Sequence, residues 1–198
     1  MTRHQRIRRN TRRAIFMAII IIQDLVPFFG NIPLGPLSIT TLHVTVILAA
    51  ITLGPGEGAI VGGTWGILTW VRAFVAPSSP LAPLVFTNPL VAIFPRIMIG
   101  LVAGYLFRLV ARTHSQRWAA ILAAGAGAIT NTGLVLGMIY FFYRTPAVAH
   151  AYGVDVSHLL PALLAIMATN GLAELVLAII VVPLVALPVL EVRRRLGQ

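Results

Sequence analysis

With 198 residues, 58% of them hydrophobic and only 10% charged, the chain reads as an integral membrane protein; an ordinary soluble domain carries about 25% charged residues. It contains no cysteine and no lysine, which excludes disulfides, thiol catalysis and the phosphate loop whose lysine must reach the nucleotide of an ATPase. The formal net charge of +10 rests on 15 arginines, whose positions mark membrane topology and do not argue for a nucleic-acid partner.

Taken in chain order, apolar runs predict helices over residues 14–29, 39–53, 59–74, 89–111, 118–143 and 159–190. The expected fold is all-α: a bundle of six transmembrane helices in a single membrane domain, with basic ends at 1–13 and 191–198. The first three runs reach the roughly 20 residues of a full span only with their flanks. The last exceeds a span, so it is expected to tilt, kink at Pro183 or Pro188, or protrude. The basic start followed by an apolar run resembles a signal peptide, but no small-x-small cleavage site follows, and a retained first helix is expected.

Arginine placement sets the orientation. With the N-terminus inside, Arg3, Arg6, Arg8, Arg9, Arg12, Arg13, Arg108, Arg112, Arg117, Arg193, Arg194 and Arg195 are all cytoplasmic, as the positive-inside rule demands. Both termini are therefore expected in the cytoplasm. The outer connections, 30–40, 76–88 and 144–157, hold Pro33, Pro36, Pro77, Pro80, Pro83 and Pro146. Proline stiffens such loops, which are expected to cap an outward-facing cavity. Gly54-Pro55-Gly56-Glu57-Gly58, on the inner side, predicts a tight turn.

Polar residues converge on the outer half. Gln23 and Asp24 fall near the outer end of the first helix, His43 near that of the second, and Trp70 and Arg72 at that of the third. Arg96 lies about 10 Å below the start of the fourth helix, and Asn131 about 18 Å below the end of the fifth, at 1.5 Å rise per residue. Asn170 lies at a depth similar to that of Asn131. Lipid-facing polar groups are costly, so a shared cavity is the simplest account. Each residue also has a plainer reading. Arg72 snorkels to headgroups or faces the cavity. Asp24 pairs with Arg72 or with Arg96. His43 packs in the core or binds a ligand. Trp65 and Trp70 are packing residues or cavity wall, Trp70 being nearer the outer end. Asn131 and Asn170 are interhelical glue or ligand contacts. Glu174, on the face of Asn170 but deeper, leans to a structural or coupling role.

Arg96 is the strongest candidate. Pro95 cannot donate to the carbonyl of Val91, which leaves an acceptor beside the guanidinium and is expected to kink the helix there. A bidentate carboxylate contact would stabilise that guanidinium away from bulk water. The spacings Gly62/Gly66 and Gly100/Gly104 predict close helix packing within the chain, and Ala14/Ala18 form a similar face near the inner end of the first helix.

Several segments together resemble the substrate-binding (S) component of energy-coupling factor (ECF) vitamin transporters. They are Ala14-Ile15-Phe16-Met17-Ala18, Ile51-Thr52-Leu53-Gly54-Pro55, Arg72-Ala73-Phe74 with Pro77-Ser78-Ser79-Pro80-Leu81-Ala82-Pro83, Asn88-Pro89-Leu90-Val91, and Phe94-Pro95-Arg96-Ile97-Met98-Ile99-Gly100-Leu101. The third-loop and fourth-helix run looks like the pantothenate branch, with the folate and cobalamin branches related. The resemblance implies a vitamin-binding subunit, with no cofactor, in a prokaryotic plasma membrane. It implies a transmembrane coupling subunit (the T component) and two ATPases as partners, with Ala14 and Ala18 as the docking face. For pantothenate it implies that Arg96, with Arg72, holds the carboxylate. Asn131, Asn170 and Gln23 would serve the hydroxyls and amide, Trp70 and Phe86 would cover the gem-dimethyl group, and His43 would be a further substrate-binding residue.

Two other classes compete. A self-sufficient channel or proton-coupled transporter would use Asp24 and Glu174 as proton carriers, but the internal repeat common in such transporters is not evident. An intramembrane enzyme lacks its motifs: there is no Gly-x-Ser-x-Gly turn and no His-Glu-x-x-His pair. His150, Asp155 and His158 are a poor basis for a metal site.

Overall fold

The computed structural model describes residues 3–26, 29–34 and 37–195. Pro36 and the terminal residues 1–2 and 196–198 lie outside them. The chain folds as a helical bundle with one small hairpin. Its elements are α1 (Arg3–Leu25), β1 (Asn31–Leu34), β2 (Leu37–Thr40), α2 (Leu42–Leu53), α3 (Pro55–Val75), α4 (Ala82–Val85), α5 (Pro89–Val110), α6 (Gln116–Phe142), α7 (Pro146–Ala151), α8 (Leu159–Ile166) and α9 (Leu172–Arg195). A π-helical turn, Met167–Gly171, joins α8 to α9.

Four helical runs are long and apolar enough to cross a membrane: Pro55–Val75, Pro89–Val110, Gln116–Phe142 and Val156–Arg195. α2 is not one of them. Its 12 residues rise only about 18 Å, and it runs through the middle of the bundle with Leu42, His43, Val46, Ile47 and Ala49 fully or almost fully buried. Around it a core forms from Ile20, Val61, Trp65, Ile99, Ala103, Ala120, Ala124, Ala178 and Val182.

The structure corrects several sequence expectations. The first helix begins not at residue 14 but at Arg3, because arginine is a good helix former and no breaker intervenes. Arg13 Nη2 donates to Glu57 Oε1 at 2.8 Å, and Arg9 pairs with the same oxygen at 3.3 Å, so this segment clamps α1 to the start of α3. The 54–58 turn shrinks to Gly54 alone. Its φ of 113° suits glycine, and Pro55 at the first helical position starts α3 at once.

The first outer connection is not a loop but an antiparallel hairpin pairing Asn31 with Thr40 and Ile32 with Ile39. Ile39 and Thr40 are β-branched and favour the strand, which moves the start of α2 to Leu42. The last helix is interrupted at the π-turn and not at its prolines; α9 continues through Pro183 and Pro188 to Arg195.

Glycine sets the α3–α5 contact, the one that places the site. A Cβ on Gly62 would lie 2.0 Å from the carbonyl oxygen of Arg96, and one on Gly100 would lie 2.2 Å from the carbonyl carbon of Gly58. The two backbones therefore touch, as small-xxx-small faces allow. Gly63 differs: a Cβ there meets only Ile97 at an ordinary 3.6 Å. Gly62→Ala is expected to lower stability by about 1–3 kcal/mol through forced backbone shifts, and Gly63→Ala to leave it unchanged or raised. Thermal unfolding of both variants in detergent checks this.

Candidate ligand site

A cavity of about 530 Å³ opens between α1, α3, α5, α6 and α9. That volume falls within the range of small-molecule sites, about 300–1,000 Å³. Its wall includes Gln23, Asp24, Trp65, Arg72, Phe86, Arg96, Asn131, Asn170 and Glu174. Thr40 from the hairpin and Ser78 and Ser79 from the third connection complete it. The fifth connection does not line it. α7 packs Val148 into a second apolar cluster with Val85, Ile139, Leu159 and Leu163, so it stands behind the cavity wall and not in it.

Arg96 holds the centre. Asn88 caps α5, its side-chain oxygen accepting from Leu90 N at 2.9 Å, and Pro89 follows at the first helical position. α5 stays one helix through Pro95. The carbonyl of Val91, which proline cannot serve, accepts from Arg96 Nη1 at 3.0 Å. The guanidinium carbon sits 4.9 Å from the Trp65 ring centre and 5.1 Å from that of Phe86. Such faces attract a cation by about 0.5–2 kcal/mol each. Arg96 is 6% exposed, and its Nε has no hydrogen-bond partner. Among the described residues, no carboxylate comes within 4.0 Å of it.

The cavity carboxylates are engaged elsewhere. Asp24 pairs with Arg72, Oδ2 to Nη1 at 3.2 Å, and Arg72 Nη1 also donates to the Asp24 carbonyl. That settles which arginine holds Asp24, and it makes Arg72 a structural partner before it is a ligand contact. Glu174 Oε1 accepts from the backbone N–H of Thr40 at 2.9 Å, and its Oε2 accepts from the Thr132 hydroxyl at 3.2 Å. It ties the hairpin and α6 to α9.

The other polar residues divide. Gln23 faces the cavity, its side-chain oxygen accepting from the Thr45 hydroxyl at 2.7 Å. Asn131 is buried with its Oδ1 unpartnered. Asn170 enters the wall from the π-turn, a local widening often found at functional sites. His43 does not line the cavity: it is fully buried and donates from Nε2 to the Glu174 carbonyl at 3.3 Å.

Trp70 does not line the cavity either. Its Nε1 donates to the Thr87 carbonyl at 2.9 Å, and its ring meets Phe74 edge-on. The wall aromatic is Trp65. The sequence carried a signal for this, because Trp65, Thr69 and Arg72 are spaced i, i+4, i+7 and share one helical face, whereas Trp70 points elsewhere. Ala14 and Ala18 lie on an exposed face of α1, beside Ile15 and Ile22 at 54% and 52% exposure, so they do not pack within the chain.

Residues 8–186 match the family model of the ECF transporter substrate-specific component. The pantothenate transporter PanT of Leuconostoc mesenteroides subsp. mesenteroides is 35% identical over 190 residues, covering 92% of both chains. The pantothenic acid transporter PanT of Lactococcus lactis subsp. cremoris is 33% identical over 180 residues, covering 84% of this chain and 86% of that one. Among solved structures, the S component for biotin from an ECF-type ABC transporter superposes with a TM-score of 0.59. It covers 92% of this chain and 93% of its own at 18% identity, a likeness of fold alone.

The Asp24–Arg72 pair makes a testable assignment. Arg72→Gln strands a buried carboxylate and is expected to cost about 1–3 kcal/mol, below the full value for a buried pair because Arg72 is partly exposed. The double variant Asp24→Asn/Arg72→Gln is expected to recover most of that loss in a thermal-unfolding cycle.

Proposed function

The chain belongs to the substrate-specific components of ECF transporters, and from that premise we propose that it is the subunit that captures pantothenate. Members of this family are substrate-binding transporter subunits, not enzymes, and the chain is a membrane protein. In our reading it crosses the plasma membrane of a prokaryote six times, α1 and α2 joining the four longer runs, with both termini in the cytoplasm. The vitamin enters from outside, and a coupling subunit driven by two ATPases completes import.

The observation that carries the reading is the Arg96 guanidinium, buried against two aromatic rings, facing a cavity and with no carboxylate in ion-pair contact among the described residues. Pantothenate brings one carboxylate, which satisfies it with charge-assisted hydrogen bonds. The unpartnered Asn131 Oδ1 accepts from a ligand hydroxyl, and Asn170 and Gln23 flank the amide. Trp65 and Phe86 cover the gem-dimethyl carbon, Trp65 in the place expected of Trp70. Arg72 contributes at longer range because Asp24 already holds it. A cavity of about 530 Å³ suits a small hydroxy-acid amide; a corrinoid is far bulkier.

The exposed Ala14/Ala18 face supports docking on the coupling subunit. Small residues let a partner helix approach closely, and both are exposed among the described residues.

Calorimetric titration of the purified subunit with pantothenate, folate and cobalamin tests the reading. Pantothenate is expected to bind tightly, and Arg96→Ala to weaken it at least 30-fold, roughly the lower bound for removing one partner of a buried charge pair. Unchanged affinity in Arg96→Ala, or preference for another vitamin, overturns the assignment. Ala14→Trp or Ala18→Trp is expected to keep vitamin affinity while abolishing co-purification with the coupling subunit. Pantothenate uptake by the subunit alone in liposomes would count against a partner-driven cycle.

A further inference from the structure

The cavity wall carries a balanced set of charges. The sequence has five acidic residues. Two of them, Asp24 and Glu174, face the cavity together with Arg72 and Arg96. Glu57 pairs with Arg9 and Arg13, and Glu191 with Arg194 and Arg195, away from this wall. Asp155 is exposed in the fifth connection. Residues 27–38, which include the undescribed part of the first connection, hold no charged side chain. The empty wall is thus neutral, with two guanidinium groups against two carboxylates. A ligand carboxylate on Arg96 puts one negative charge in excess, and an uncompensated charge away from bulk water is costly.

The two carboxylates differ in how they can answer that excess. Asp24 meets Arg72 at 3.2 Å, and a guanidinium only donates, so a proton on Asp24 would weaken its pairing. The carboxylate of Glu174 has neutral partners. Its Oε1 accepts from the Thr40 backbone N–H at 2.9 Å, which it can do whether or not the other oxygen is protonated. Its Oε2 meets the Thr132 hydroxyl at 3.2 Å. A hydroxyl both donates and accepts, so a protonated Oε2 can donate to the group that otherwise donates to it. Arg96 attracts Glu174 across the cavity without ion-pair contact; a ligand carboxylate on Arg96 cancels that attraction and adds a repulsion. Among the described residues, the other titratable side chain packed on Glu174 is His43 of α2, which bonds the Glu174 carbonyl and not its carboxylate. The hairpin and α6 present Thr40 and Thr132, and the Asp24 and Arg72 of α1 and α3 hold each other.

We propose that Glu174 is a proton-binding site coupled to the ligand: as the vitamin carboxylate docks on Arg96, Glu174 Oε2 takes one proton from the medium. The vitamin is then captured as an anion plus a proton, which adds no net charge, and the filled wall is neutral again. No bond within the vitamin forms or breaks. The two hydrogen bonds that tie α9 to the hairpin and to α6 persist in both states. This inference rests on the pantothenate reading, since it needs a ligand that arrives ionised.

The test is calorimetric titration of the purified subunit with pantothenate at neutral pH in two buffers of different ionisation enthalpy, phosphate and Tris. The difference in apparent heat counts the protons taken up. Uptake of about one proton per vitamin is expected, so affinity falls as pH rises, by up to about tenfold per pH unit. Glu174→Gln supplies an amide oxygen for Thr40 and an amide N–H for Thr132 but no charge. It is expected to bind without proton uptake, with no pH slope, and more tightly than the unsubstituted chain at alkaline pH. Infrared difference spectra of the unsubstituted protein should gain a protonated-carboxyl band on binding. That band should shift when the protein's glutamates are isotope-labelled at the carboxyl carbon, and stay when only the vitamin is. Unfolding temperature reports whether Glu174→Gln folds, and the infrared band decides if it does not. Tight pantothenate binding without proton uptake, uptake that persists in Glu174→Gln, or a band that follows the label in the vitamin overturns this inference and leaves the vitamin assignment standing. Absence of pantothenate binding overturns both.

Discussion

A guanidinium held by aromatic faces and one backbone carbonyl, with no carboxylate in ion-pair contact among the described residues, is the constraint on which the rest of the site depends. A cation within the bilayer costs at least about 2.5–3.5 kcal/mol. Two ring faces and one charge-assisted hydrogen bond offset a cost of that size, at about 0.5–2 and 1.5–3 kcal/mol each. Arg96 can therefore stay buried while its Nε still lacks a partner. A fully satisfied arginine would gain little from a ligand, and an unsupported one would destabilise the bundle. Pro95 makes the intermediate case possible by leaving the Val91 carbonyl to the side chain.

The same economy explains the two carboxylates on the cavity wall. Asp24 is spent on Arg72 and Glu174 on the Thr40 amide and the Thr132 hydroxyl. Each joins elements distant in sequence, α1 to α3 and α9 to the hairpin and α6. Because both are engaged, neither closes on Arg96. His43 extends this scaffold by bonding the Glu174 carbonyl from α2. Residues that look like ligand contacts because they are polar and at the right depth are thus also bonded to other parts of the protein around Arg96.

Much of this was legible in the sequence where one residue type forces the outcome. Pro95 beside Arg96 dictated the freed carbonyl. Gly62 and Gly100 dictated close helix contact. The site was less legible where direction around a helix mattered more than depth along it. Trp70 is nearer the outer end, yet Trp65 shares the face of Arg72 and stacks on Arg96. The hairpin was missed because Pro33 suggested a stiffened loop, while strand pairing is a non-local interaction that no local signal announces. The π-turn at Asn170 was hidden for a related reason, since the prolines at 183 and 188 drew attention to the wrong part of the last helix.

The packing also decides which parts of the site can move. The Arg96 carbonyl is pressed against Gly62, and its helix is locked to α3 along the backbone. The Arg96 backbone cannot shift without separating two helices. The hairpin, by contrast, reaches the cavity at its Thr40 end and is tied to α9 through one backbone hydrogen bond to Glu174. Breaking that bond costs on the order of 1–3 kcal/mol, since the acceptor is charged. Opening α3 from α5 would expose apolar and backbone surface along several turns. The α3–α5 contact is therefore the stiffer wall of the cavity and the Thr40 end of the hairpin the more weakly held one.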